Sequence, residues 1–125
     1  MTQGSDFSVF EYMYRDAGNW KTYGAVLLAG FDQSAEARIL GSLDSDKTFV
    51  AEQVSVPALC EKHWKDCGDG PSDMDHAFHE FVCLRSATIE ERESLRVEMT
   101  LASLLGKFAS AAGRWDVRLS PNCFI

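Results

Sequence analysis

Residues 7–16 (FSVFEYMYRD) interleave Phe10, Tyr12 and Tyr14 with Val9, Glu11 and Met13, an aromatic, period-two pattern that predicts a strand apolar on both faces. Residues 20–30 form a second apolar run. Between them Ala17-Gly18-Asn19 supplies turn residues, since Gly and Asn tolerate positive φ, so the two runs read as an antiparallel hairpin. Ala35, Ile39 and Leu43 then recur every four residues after Ser34, which predicts a short amphipathic helix over 34–43 despite Gly41.

Alternation returns in residues 48–54 (TFVAEQV), read as a third strand, and Pro57 suits the first turn of a short helix over 57–64 because it brings no amide hydrogen. Residues 65–75 (KDCGDGPSDMD) are too polar and too rich in Gly and Asp to be other than a surface loop. Residues 76–85 (HAFHEFVCLR) read as a fourth strand, with Ala77, His79, Phe81 and Cys83 on one face and Phe78, Glu80, Val82 and Leu84 on the other. Thr88-Ile89-Glu90-Glu91 matches a capping box and opens a long helix to Ala112. Leu101, Leu104, Leu105 and Phe108 form its apolar stripe, and Gly113 stops it. The expected order is ββαβαβα: an α+β fold with a small, mainly antiparallel sheet of about four strands, packed by the long C-terminal helix and one or two short helices.

Composition narrows the function more than the fold. The 125 residues suit one domain spanning 1–125. The chain is 46% hydrophobic, yet its longest apolar run falls far short of the roughly 20 residues of a membrane span. The first residues lack the basic-then-apolar order of a secretion signal, and the four cysteines read as free thiols, so the expected location is the cytoplasm. Twelve Lys+Arg against 19 Asp+Glu give a net charge of −7, which argues against nucleic-acid binding and favours a basic protein partner.

Several clusters could carry chemistry. Cys60, His63, Cys67, His76 and His79 bring five metal-ligand side chains within 20 residues, but their spacing matches no standard zinc module. On one strand His76 and His79 would also lack a common face. Asp66, Asp69, Asp73 and Asp75 break the order of a calcium loop, where Pro71 and Met74 stand out of place. Cys60 and His63 stand one helical turn apart without an orienting group. Asp75, His76, His79 and Glu80 could together serve acid–base catalysis; the plainer alternative is a strand start with His79 hydrogen-bonded in the core. Glu52 and Gln53 fall on a strand where one of them must turn inward, and Arg15 is the expected counter-ion of Glu52. Tyr12, Tyr14, Trp20, Lys21 and Tyr23 give the hairpin the residue types enriched at interface hot spots, and a second subunit, making a homodimer, is one candidate cover for a sheet apolar on both faces. No phosphate loop, nucleophile elbow or zincin motif is present, and no cofactor is assigned.

Three blocks, YMYRDAGNWK at 12–21, FVAEQVSVPAL at 49–59 and DHAFHE at 75–80, resemble a family of small uncharacterised bacterial proteins. That resemblance implies no activity, cofactor or catalytic residue. The leading expectation is a small acidic protein-interaction module; the rival is an enzyme or metal-binding domain built on Asp75, His76, His79 and Glu80.

Overall fold

The computed structural model describes residues 6–16, 18–44, 47–67 and 76–119. Strands β1 (Phe7–Arg15) and β2 (Lys21–Ala29) form the expected antiparallel hairpin in continuous register from Phe7 opposite Ala29 to Arg15 opposite Lys21. Asn19 closes the turn at φ 71° and donates its amide to the Asp16 carbonyl, the left-handed residue that a three-residue hairpin loop needs. Helix α1 (Ala35–Leu40) buries Ala35 and Ile39, as its spacing predicts.

The sheet has five strands in the order β3-β4-β1-β2-β5, where β3 is Thr48–Val50, β4 is Phe78–Ser86 and β5 is Val97–Thr100. It is mixed: β5 lies parallel to β2, and the other pairings are antiparallel. Helix α2 (Cys60–Cys67) starts and ends three residues later than the expected 57–64, taking in the first residues of the expected loop, and packs toward β2, while α4 (Leu101–Ala111) lays Leu101, Leu104, Leu105 and Phe108 on the sheet. The core between them is aromatic. Phe10 lies 5.7 Å from Phe49 and 5.8 Å from Phe108, and Phe108 lies 5.9 Å from Trp115, centroid to centroid. Pairs at such distances add about 1 kcal/mol each to the area they bury.

Three local expectations are corrected. The third strand stops at Val50, because Ala51–Val54 tightens into a 3₁₀ turn closed by Ser55 at φ 62° and by the Val56 amide on the Ala51 carbonyl. Strand β4 carries a bulge, for Tyr12 faces Phe81 while Glu11 faces Cys83. The extra residue brings Leu84 to the core face beside Phe81 and turns Cys83 to the other. The long C-terminal helix is two helices with a strand between them. The capping box forms, with Thr88 Oγ1 accepting the Glu91 amide and Glu91 accepting the Thr88 amide, but α3 (Ile89–Ser94) ends at an extended Leu95. Residues 97–100 then pair with the open edge of Leu27, Leu28 and Ala29, and Thr100 caps α4 by accepting the Ser103 amide.

Phe10, Tyr12, Tyr14, Val26 and Leu28 thus face the helical core. The outer face is divided. Near the Phe7 end Val9 and Leu27 are fully buried, and Arg92 of α3 lies over the Phe7 ring at 4.8 Å. Toward the hairpin end Tyr23 is 58% and Val82 42% exposed. No helix among the described residues is long and apolar enough to cross a membrane.

Candidate functional site

Of the polar residues singled out by sequence, Arg15, Glu80 and the histidines gather at the hairpin end of the sheet, where all three histidines of the chain surround Tyr14. Its ring centroid lies 4.9 Å from His63, 5.2 Å from His76 and 5.4 Å from His79. Tyr14 points inward because it shares the core register of Phe10 and Tyr12, and His79 faces the same side through its pairing with Phe49. His76 precedes β4, so strand alternation does not place it, and its ring reaches Tyr14 as well.

Hydrogen bonds at both ring nitrogens fix the orientation of two of the imidazoles. The Leu59 amide donates to His79 Nε2 at 2.9 Å, so Nδ1 carries the proton and donates to the Ala77 carbonyl at 3.1 Å. Burial pushes this imidazole down to about 4, against a weaker upward pull from the Ala77 carbonyl. The Phe78 amide donates to His76 Nδ1, and Nε2 donates to the Arg15 carbonyl at 2.7 Å. Each ring is a crossbar between backbone segments, and the fully buried His79 ties the start of α2 to β4.

The third imidazole belongs to a chain of side chains that sequence reasoning does not single out. Asp16 Oδ2 accepts from His63 Nε2 at 2.9 Å, and His63 Nδ1 shares a hydrogen with the Thr22 hydroxyl at 2.8 Å. Burial raises the Asp16 pKa, but hydrogen bonds from His63 and the Trp20 and Gly18 amides outweigh it, so the net shift is downward. Carboxylate, imidazole and hydroxyl stand in the order used for acyl transfer, yet Asp16 is 9%, His63 2% and Thr22 5% exposed. With Thr22 turned toward α2, the arrangement braces the hairpin against the helix. The signal for it was faint: Asp16 precedes a turn and Thr22 alternates with exposed residues, but His63 lies 41 positions beyond Thr22.

The exposed side of the same end is a second network. Arg15 donates to both Glu80 oxygens, at 2.9 and 3.3 Å, and to Asn19 Oδ1 at 2.7 Å. Its carboxylate partner is therefore Glu80 rather than Glu52. Glu52 and Gln53 sit half-buried on the 3₁₀ turn, where Gln53 bridges the Arg114 carbonyl and the Asp116 amide. Farther along the outer face Arg85 joins Glu11 and Glu91, and its hydrogen bond pulls the Glu91 carboxyl down to about 2. Cys83 donates to Glu11; burial first and Glu11 second raise its thiol pKa, which keeps it protonated.

Of the hot-spot candidates, Tyr12 and Tyr14 are core residues at 1% and 0% exposure, and Tyr12 donates its hydroxyl to the Pro57 carbonyl. Trp20, Lys21 and Tyr23 are exposed. Of the candidate ligands, Cys60 is buried with its thiol toward the His76 carbonyl, while the Cys67 side chain and Asp75 lie outside the described residues. Among the described residues no group of three His, Cys, Asp or Glu is placed to hold a metal ion. No family model, curated protein or solved structure matches the chain.

Proposed function

We propose that this chain is a protein-binding module that docks a partner on its hairpin end. The observation that carries the reading is Trp20, 67% exposed on a turn braced from inside, with Tyr23, 58% exposed, three residues farther along the chain. Asp16 accepts the Trp20 amide on Oδ1 while its other oxygen is held by His63, and Lys62 donates to the Tyr23 carbonyl. Large aromatic side chains presented on a fixed backbone lose little entropy on binding and are the residue types that dominate interface energetics. Arg15 and Lys21 flank them, so the aromatic pair, rather than the net charge of −7, directs docking here. A basic partner remains the proposal for the acidic remainder of the surface. The free thiol of Cys83 supports a reducing compartment, and we place the protein in the cytoplasm on that ground.

The test is affinity capture from bacterial lysate, at low and high salt, with the natural chain and with a Trp20→Ala, Tyr23→Ala double variant. A stoichiometric partner retained by the first and lost by the second, at unchanged circular dichroism, is the expected result. Identical captures by both chains, or none by either together with a monomeric mass, would end the reading.

A further inference from the structure

We infer that the edge of β2 from Lys21 to Ala25 is a strand-addition site, where an acidic, extended segment of a partner protein joins the sheet through backbone hydrogen bonds. The inference rests on the docking reading above and names what the partner brings. Its ground is an edge only partly covered. Antiparallel strands bond through alternate residues. At the two ends of the hairpin the Asp16 amide donates to the Trp20 carbonyl and the Gly30 amide to the Asp6 carbonyl, in a register without a shift. The even-numbered residues of β2 therefore bond to β1, and the amides and carbonyls of Lys21, Tyr23 and Ala25 point away from it. Strand β5 meets that edge only from Leu27 onward. Among the described residues no backbone group pairs with the edge before that point, and the Lys62 ammonium donates to the Tyr23 carbonyl at 3.2 Å. Lys21, Tyr23 and Ala25 are exposed, and Gly24 and Ala25 bring almost no side chain to shield their backbone.

Charge selects the kind of strand. Open edges are a hazard that proteins commonly blunt with lysine, and Lys62 does so at a single carbonyl. A strand that donates its own amide to the Tyr23 carbonyl displaces the Lys62 ammonium, which is then released to meet a carboxylate on the same segment. Around the open stretch Arg15, Lys21 and Lys62 stand against Glu61 and Glu80, with Asp16 turned inward to His63. Where β5 begins, Arg96 and Glu98 offset each other. On a chain of net charge −7 this is a local surplus of positive charge, which favours an acidic strand over a basic one and over a second copy, whose own β2 would bring the same lysines. Tyr23, 58% exposed, gives the side chains of the added strand an apolar neighbour.

Amide hydrogen exchange, read residue by residue by nuclear magnetic resonance on the full chain, tests this. In the free protein the Lys21, Tyr23 and Ala25 amides should exchange fast while those of Thr22 and Gly24 are protected. The probe is a short synthetic peptide alternating Glu and Val. Added to about 1 mM, it should protect the fast amides with a dissociation constant on the order of 0.1 mM. The same peptide N-methylated at alternate amides should not. Ala25→Pro, which deletes an outward amide, should abolish binding, and Lys62→Glu should weaken it about tenfold, both at unchanged circular dichroism. Edge amides already protected in the free chain, no protection gained from the probe, or equal binding of the N-methylated peptide overturns the inference. Protection that grows with protein concentration alone makes the occupant a second copy and overturns it too. If the strand site fails while a lysate partner is still lost with the Trp20→Ala, Tyr23→Ala variant, the docking reading survives; if no partner is captured either, both fall.

Discussion

Arg15 and Asp16 are neighbours in the chain, and each anchors a hydrogen-bond network, one on the outside of the hairpin end and one on the inside. Arg15 and Glu80 retain 37% and 26% side-chain exposure, whereas His63 and Asp16 retain 2% and 9%. The partner counts are similar, and the consequences of losing a partner are not. Water can replace a lost partner of Arg15, whereas Asp16 is nearly buried, and its loss removes the acceptor of His63 Nε2 and of the Gly18 and Trp20 amides. Depth, rather than the number of bonds, decides which network holds the hairpin.

The hardest test of that contrast is Asp16→Ala. Removing one member of a buried pair should cost about 3–5 kcal/mol and lower the urea midpoint without changing the slope. A loss as small as that of a surface pair would break the comparison. Acid should act next. The His79 pKa is depressed from 6.5 to about 4, so between these values the unfolded chain binds a proton that the folded chain does not. Stability is therefore full above pH 6.5 and falls by about 3 kcal/mol as the pH drops to about 4. Asp16, also depressed when folded, adds a loss of the same sign at lower pH. Denaturant midpoints measured across this range, with a His79→Gln variant whose profile should be flatter, give the check. The smallest effect belongs to Arg15→Ala, worth less than about 1 kcal/mol and reduced further by salt.

What sequence made legible was local. The turn at Asn19, the Thr88–Glu91 capping box and the Ala35–Ile39 stripe each rest on neighbours within a few residues, and each formed. The strand at Val97–Thr100 was hidden because residues 95–100 show no strong preference, and their pairing answers an edge at Leu27–Ala29 far away in sequence. The bulge in β4 was hidden for a similar reason, since it shows only against Glu11 and Tyr12 across the ladder. At the site, a core-bonded His79 was readable from its strand position. The Asp16–His63–Thr22 chain was not, because it joins a turn, a helix and a strand that only folding brings together.

Placing the first strand at the centre of the sheet also sets a timetable. Both neighbours of β1 are made after it, and the second, β4, ends only at Ser86. While the ribosome is still adding those residues, the aromatic strand has one flank unzipped and available to any other nascent chain. The order of synthesis therefore exposes the stickiest segment first and shields it late, so a slow-growing chain depends on the early hairpin, together with whatever chaperone attends it, to stay unaggregated.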